Sequence, residues 1–204
     1  MTKIGTTRDA LLRAARELFA QQGFDTTSVR QITAQAGANL GAITYHFQSK
    51  ENLYLQVLES MAEPLYARVA AAVEVSGSPL DKIESFVRAY FEHLLANREL
   101  PSLILHEVSL DHPISLPIRS MIERISRLLA GVIINGQKDG TLAAGDVGLM
   151  SMSVVALPVH AVVVRRVAHQ IFGRNLNEPA AQAEVTAHIT AFLRRGLGNP
   201  GRNT

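Results

Sequence analysis

Residues 37–50, GANLGAITYHFQSK, hold several hydrogen-bond donors within a short stretch. Tyr45 carries a hydroxyl group, His46 an imidazole and Lys50 an ammonium group, and Ser28 adds a hydroxyl group at the other rim of the motif. Groups of these kinds position a protein on phosphate oxygens, and such contacts do not require a run of lysines. The stretch therefore predicts contact with a phosphate-bearing partner.

The residues just ahead of these donors are mostly small. They are Asn39, Leu40, Gly41 and Ala42. A helix that begins with small residues can approach the base edges in the major groove of DNA, which is roughly 12 Å wide. Two interpretations of Leu40 stay open: an exposed side chain that touches a thymine methyl group, or a side chain that covers the turn.

The elements that must position these residues are short helices. Ser28 followed by Gln31 is a capping-box pattern, which predicts a helix that ends at Gly37. Asn39 is the predicted N-cap of a second helix over residues 40–46. Two short helices joined by a tight turn form a helix-turn-helix, whose second helix enters the major groove. A helical hairpin that serves only packing is the alternative.

The remaining segments show helical spacing of apolar residues and no sustained period-two alternation, so the chain is predicted to be all-α. A compact N-terminal unit is expected to precede a larger helical body. Helices outside the motif are predicted over about residues 7–22, 50–73, 79–94, 102–110, 118–132, 146–172 and 180–197.

Composition restricts the class of protein. Of 204 residues, 47% are hydrophobic and 19% are charged, which supports a packed core. Cysteine is absent, which excludes disulfides, thiolate zinc sites and cysteine nucleophiles and fits a reducing cytoplasm. The first residues lack the apolar run of a signal peptide. The net charge is +2, so charge by itself is only weak evidence for a polyanionic partner.

One apolar run, residues 147–164, contains no Asp, Glu, Lys or Arg. A membrane span needs about 20 such residues, and this run also carries two serines, a proline and a histidine. No membrane span is therefore predicted. A buried helix or a dimer-forming helix is expected instead.

The seven histidines suggest a metal or catalytic site, but their spacing does not support one. The sequence has no HExxH motif and no cysteine partners for zinc. It also lacks a P-loop, a GxGxxG turn and a serine-centred nucleophile elbow. Neither a metal site, a catalytic residue nor a cofactor is predicted.

Residues 27–53, TSVRQITAQAGANLGAITYHFQSKENL, resemble the DNA-binding signature of TetR-type transcriptional regulators. Two positions depart from the usual pattern: Thr33 stands where alanine is common, and Thr44 where tyrosine is common. The variant is similar to a subgroup that includes the CecR-like regulators. The matching residues are Thr27-Ser28, Ala36-Gly37, Asn39, Gly41, Tyr45-His46-Phe47 and Lys50-Glu51-Asn52-Leu53.

The resemblance implies a helix-turn-helix domain over residues 1–50 and an effector-binding and dimerisation domain over residues 51–204. It implies a cytoplasmic homodimer, most often a repressor, that binds a palindromic operator in double-stranded DNA and is released by a small-molecule effector. The dimer would form through helices at about residues 146–172 and 180–197. The expected DNA-binding residues are Thr27, Ser28, Asn39, Leu40, Gly41, Ala42, Thr44, Tyr45, His46 and Lys50, and the effector-pocket candidates are Tyr90, His93, His106 and His160.

Two rival functions are left open by the sequence. One is a helical enzyme or a lipid or small-molecule carrier with an apolar cavity. The other is a DNA-binding module without an effector. Binding to duplex DNA that weakens steeply with salt separates the regulator from the first rival, and thermal stabilisation by a small molecule separates it from the second.

Overall fold

The computed structural model describes residues 6–109 and 113–199. Over these residues the chain forms ten α-helices and no named β-strand, which confirms the predicted all-α class. The helices are α1 (Thr7–Gln22), α2 (Val29–Ala36), α3 (Ala42–Phe47), α4 (Lys50–Val73), α5 (Pro79–Ala96), α6 (Glu99–Ser109), α7 (Leu116–Lys138), α8 (Val147–Val163), α9 (Arg165–Phe172) and α10 (Pro179–Leu197).

Contacts divide the chain into two compact units. The first contains α1 to α3, the part of α4 up to Glu63, α6, and the start of α7 up to Ser120. The second contains the rest of α4, α5, the rest of α7, and α8 to α10. The first unit is thus larger than the motif alone, because α6 packs against α1.

Side-chain caps fix the helix ends of the first unit. Thr6 caps α1 through a reciprocal capping box with Asp9, and these hydrogen bonds hold the pKa of the Asp9 carboxyl below its usual value. Ser28 caps α2 in the same way with Gln31. Gly37 ends α2 with a left-handed backbone, φ 64°, a conformation that glycine adopts without a steric penalty. These caps confirm the predicted boundaries.

The core of the first unit seats α3 firmly. Ile43 and Phe47 lie four residues apart, so they share one face of α3, and both are buried. Burying a side chain of this size stabilises the fold by about 1.5–3 kcal/mol. Thr44 and Tyr45 consequently point away from that core and are exposed.

The second unit is built on α5, which packs against α8 and α10. Its apolar stripe is buried and consists of Ile83, Phe86, Val87, Tyr90, Phe91 and Leu94. On its exposed side, Arg194 of α10 forms ion pairs with Asp81 and Glu84 of α5. Hydrogen bonds from Ser78 and Arg194 lower the pKa of Asp81.

The single helix predicted over residues 146–172 is wrong in one respect. The chain forms two helices there, α8 and α9, with the break at Val164 and a bend of 64° between them. No single helix among the described residues is long and apolar enough to cross a membrane; α8 and α9 meet that criterion only as this bent pair. Asp146 caps the start of α8, as expected from the sequence.

Candidate DNA-binding surface

The turn between α2 and α3 is closed by backbone hydrogen bonds. The Ala38 amide donates to the Thr33 carbonyl at 2.9 Å, and the Ala42 amide donates to the Asn39 carbonyl at 3.1 Å. The second bond closes a turn over residues 39–42. Helix α3 therefore begins at Ala42, with Gly41 as its N-cap. The prediction that Asn39 caps a helix starting at residue 40 is therefore wrong.

The leading edge of α3 and the turn before it are open to solvent. Asn39, Gly41 and Thr44 are exposed. Leu40 is 54% exposed and Tyr45 is 84% exposed, both unusually high for side chains of this size. His46 is half-buried, and its ring meets the Tyr45 ring edge-on at 4.8 Å between centroids. This surface combines small residues, hydroxyl groups and an imidazole.

Ser28 lies at the start of α2, where it has a structural role besides any contact with a partner. Its hydroxyl donates to the Gln31 side-chain oxygen at 2.8 Å and accepts from the Gln31 amide at 3.2 Å. The side chain nevertheless stays exposed. It therefore caps the helix and remains accessible from outside.

Two of the expected contact residues need correction because their side chains are internal. Thr27 is 1% exposed, and its hydroxyl donates to the Gly23 carbonyl at 2.7 Å. Ala42 is also buried, on the core side of α3. A signal for Thr27 was present in the sequence, since a residue just before an N-cap often packs against its helix.

Lys50 also has a different environment from the one expected. Its Nζ donates to the Phe24 carbonyl and the Thr27 carbonyl, both at 3.0 Å. The same ammonium group lies 4.1 Å from the centroid of the Phe24 ring. Lys50 is half-buried and its ammonium group binds the α1–α2 loop, while its expected contact with phosphate stays a prediction. Nothing in the sequence signals these contacts, which link residues 26 and 23 positions apart.

Two of the expected effector-pocket residues lie on α5, in the second unit. Tyr90 and His93 lie on the buried side of α5, and Tyr90 stacks on Phe86 with 5.5 Å between ring centroids. Burial raises the pKa of Tyr90. Burial, with a smaller effect of the Arg68 charge, lowers the pKa of His93.

The other two candidates lie outside α5, and their role stays a prediction. His160 is exposed on α8. His106, near the end of α6, belongs to the first unit, where it lines an open cleft of about 520 Å³. The cleft is bordered by the end of α1, the loop after it, the first turns of α4 and the end of α6; its lining residues are Gln22, Gly23, Phe24, Asp25, Thr26, Glu51, Tyr54, Leu55, His106, Glu107 and Ser115.

Sequence reasoning missed a buried carboxylate beside this cleft. Glu107 is 3% exposed, and its two oxygens accept from the Tyr54 hydroxyl at 2.7 Å and the Ser115 amide at 2.8 Å. Burial is the main reason that the pKa of Tyr54 is raised, and its hydrogen bond to Glu107 adds to it. The described residues contain no group of three or more His, Asp or Glu side chains that could hold a metal ion.

Helices α8, α9 and α10 each leave large apolar side chains exposed. The most exposed on α8 is Met152, at 69%. Monomeric proteins rarely expose extensive apolar surface unless it binds a partner. The others are Leu149 and Val163 on α8, Val167, Ile171 and Phe172 on α9, and Phe192 on α10.

Comparison with known proteins shows which family this chain resembles. Residues 11–57 match the family model "Bacterial regulatory proteins, tetR family", and residues 79–193 match "Tetracyclin repressor-like, C-terminal domain". The HTH-type transcriptional regulator RutR of Escherichia coli O157:H7 is 30% identical over 202 residues, covering 95% of this chain and 92% of RutR. The HTH-type transcriptional repressor KstR2 of Mycolicibacterium smegmatis is 36% identical over 85 residues, so the alignment spans only 42% of each chain.

Solved structures agree on the fold. The ketosteroid transcriptional regulator KstR2 of Mycobacterium tuberculosis superposes with a TM-score of 0.77 at 23% identity, covering 96% of this chain and 97% of that one. FadR from Bacillus subtilis, solved in complex with stearoyl-CoA, superposes with a TM-score of 0.74 at 18% identity, covering 92% and 98%. With both family models matched and a full-length relative at 30% identity, this chain belongs to the TetR family and is a DNA-binding transcriptional regulator.

Proposed function

We propose that this regulator is a cytoplasmic repressor that binds a near-palindromic operator as a homodimer and is released by an apolar small molecule. The observation that carries the proposal is the exposed leading edge of α3, whose opposite face is locked into the core by Ile43 and Phe47. A helix held rigidly with small and polar residues outward is what major-groove recognition requires.

The residues on this edge divide by chemistry. Thr44 offers a hydroxyl and a methyl group to base edges, and the exposure of Leu40 favours contact with a thymine methyl group over covering the turn. Tyr45, His46 and Ser28 offer donors to phosphate oxygens. Asn39 and Gly41 leave room for the duplex. Thr27, Ala42 and Lys50 support this surface from within.

The homodimer is proposed to form through α8 and α10, with α9 extending the same interface. Exposed apolar side chains on all three helices support this assignment. Two-fold symmetry gives each protomer one half-site, with the two half-sites about 34–36 Å apart, one turn of DNA. Operator symmetry then follows from protein symmetry.

The effector is proposed to be a bulky apolar molecule bound within the second unit. Tyr90 and His93 are its candidate polar contacts, because they interrupt the apolar face of α5. The similar folds of a ketosteroid regulator and of a FadR that holds stearoyl-CoA support an apolar class. The molecule releases DNA only insofar as it binds the DNA-free conformation more tightly. We propose no catalytic step and no cofactor.

Selection of genomic fragments bound by the purified protein tests the proposal directly. We expect one near-palindromic sequence to be enriched, and its affinity to fall steeply with salt. Thr44→Ala should change the preferred bases at one position of each half-site, while Tyr45→Phe should weaken all sequences alike. If no sequence is enriched over random duplex, the proposal that this protein is a repressor fails. Steroids and acyl-CoA molecules are the first effectors to test for release of the enriched fragment.

A further inference from the structure

The open cleft beside Glu107 shares no residue with the surface proposed to meet DNA. It is bordered by the end of α1 and the loop after it, the first turns of α4 and the end of α6, and all of its lining residues belong to the first unit. Its volume of about 520 Å³ falls within the range of roughly 300–1,000 Å³ that small-molecule sites occupy. The effector proposed above is assigned to the second unit, so a ligand of this cleft would be a different molecule.

The lining of the cleft is acidic. Asp25, Glu51 and Glu107 contribute carboxyl groups, and neither lysine nor arginine is among the lining residues. Hydrogen bonds from its own amide and from Ser49 hold the pKa of Glu51 below its usual value, so this group is ionised at neutral pH. Burial is the main cause that raises the pKa of Tyr54, and the nearby charges of Glu107 and Asp25 raise it further. The cleft therefore favours a cation.

Glu107 is a buried carboxylate without a cationic partner. Its oxygens accept from the Tyr54 hydroxyl and the Ser115 amide, but no described lysine, arginine or histidine forms an ion pair with it. Burying a carboxylate that has no opposite charge beside it is unfavourable. A carboxylate can accept about four hydrogen bonds, so Glu107 still has room for N–H donors from a ligand.

A second unsatisfied group lies next to this carboxylate. The Oγ atom of Ser115 is buried and has no hydrogen-bond partner among the described residues. Since the Ser115 amide donates to Glu107, this hydroxyl belongs to the same end of the cleft. Buried polar groups in folded proteins nearly always have a partner. A ligand with more than one N–H group could satisfy the carboxylate and the hydroxyl together.

Another part of the lining is apolar. The Phe24 and Tyr54 rings lie 5.0 Å apart between centroids, and Leu55 is exposed beside them. The Lys50 ammonium group lies 4.1 Å from the Phe24 centroid, so one cation already rests against this aromatic pair. A ligand that carries a flat apolar body next to its charge would complement this wall.

We infer that the cleft is a binding site for a small organic cation, an amine or amidinium on a planar apolar body, whose N–H groups donate to Glu107 and Ser115. A metal ion is the other kind of cation that carboxylates bind. The described residues, however, contain no group of three or more His, Asp or Glu side chains that could hold one. The site is separate from the effector site proposed in the second unit and does not require DNA to be bound.

Benzamidine and benzamide are matched probes for this site. They have nearly the same shape, but benzamidine is a cation with additional N–H donors and benzamide is neutral. Isothermal titration calorimetry of the full-length protein at pH 7.5 measures both affinities. We expect benzamidine to bind at least about tenfold more tightly than benzamide, because its hydrogen bonds to Glu107 are charge-assisted.

Four variants locate the binding. Glu107→Gln keeps the shape of the side chain and removes its charge, so the preference for benzamidine should disappear while the affinity for benzamide stays unchanged. Asp25→Asn, at the exposed rim, should weaken benzamidine by about threefold. Leu55→Arg places a guanidinium group of the protein itself in the cleft and should abolish binding of both probes. Glu59→Gln is the control, because this exposed carboxylate on α4 does not line the cleft.

Each result decides whether the cleft binds cations. Absence of benzamidine binding, or equal affinities for the two probes, would overturn the assignment. Benzamidine affinity that survives Glu107→Gln or Leu55→Arg would place the cation elsewhere on the chain, with the same consequence. An equal loss in Glu59→Gln would mean general attraction to negative charge and no specific site. If Glu107→Gln does not fold, Asp25→Asn and Leu55→Arg decide the question through the same two affinities.

Discussion

The two surfaces proposed to meet partners differ in the kind of side chain that they expose. The helix-turn-helix exposes hydroxyl groups and small residues, with the hydroxyl-bearing Tyr45 the most exposed of its large hydrophobic side chains. Helices α8 to α10 expose thioether, aliphatic and phenyl groups, such as Met152, Ile171 and Phe172. Without a partner, the polar first surface keeps its hydrogen bonds to water, whereas the apolar second surface stays unfavourably exposed to water.

This difference explains how a regulator can release one partner while keeping the other. Apolar surface gains about 25 cal/mol for each Å² removed from water, so the proposed dimer face favours a permanent partner. Polar groups on α3 exchange hydrogen bonds with water for hydrogen bonds with DNA, with a net gain of only about 0.5–1.5 kcal/mol each. A modest effector-driven shift is therefore enough to end DNA binding without separating the subunits.

The largest effect is expected from Met152→Glu, which places a carboxylate on the apolar face of α8. Burying a charge without a partner is strongly unfavourable, so we expect the dimer dissociation constant to rise by at least about 100-fold. Sedimentation equilibrium measures the change. Operator binding should be lost in parallel, because a monomer holds one half-site. Met152→Leu is the matched control, and an unchanged dimer in Met152→Glu would remove α8 from the interface.

A smaller effect is expected from Tyr45→Ala on the other surface. Loss of the exposed hydroxyl and ring should weaken operator binding by about tenfold, as measured by fluorescence anisotropy. Because the side chain lies away from the core, the melting temperature and the dimer constant should stay as in the wild type. A large drop in melting temperature would show that Tyr45 supports α3 and contradict its assignment to DNA.

The sequence predicted the local features of the helix-turn-helix better than the long-range contacts of the first unit, for a physical reason. Capping by Ser28 and Gln31 and the left-handed Gly37 involve residues within three positions of a helix end, so local patterns reveal them. The partners of Lys50 lie more than 20 positions away, and Tyr54 lies 53 positions from Glu107. No periodicity encodes such contacts.

The break at Val164 illustrates the same limit in the second unit. The apolar pattern continues across it without a glycine or proline at the break, so periodicity predicted one helix over residues 146–172. The structure turns the chain there, and the Arg165 guanidinium donates to the Val162 carbonyl at 3.2 Å. Helix existence was therefore predictable, but the direction of α9 was not.

A third variant, His93→Met, tests a buried residue that belongs to neither surface. Burial lowers the pKa of His93 below its unfolded value, so the unfolded chain binds a proton first as pH falls. The free energy of unfolding should therefore decrease as pH falls below about 6.5, the usual histidine value. In His93→Met this part of the pH dependence should disappear, as seen in urea denaturation between pH 7 and pH 5. An equal slope in both proteins would assign the effect to other groups. Neither dimerisation nor operator affinity at pH 7.5 should change.

The smallest effect is expected from Gln48→Gly, which removes the side chain that strains the backbone between α3 and α4. A non-glycine residue at positive φ costs about 1–2 kcal/mol, and the greater freedom of glycine in the unfolded chain offsets about 0.5–1 kcal/mol of the relief. The net gain of roughly 0.5 kcal/mol should raise the melting temperature by about 1–2 °C. Gln48→Ala keeps the Cβ and should show no gain, so equal stabilisation of both variants would mean that φ is not the cause. Because Gln48 joins the reading helix to α4, unchanged operator affinity in Gln48→Gly would further show that this strain is a by-product of the turn and makes no contribution to DNA recognition.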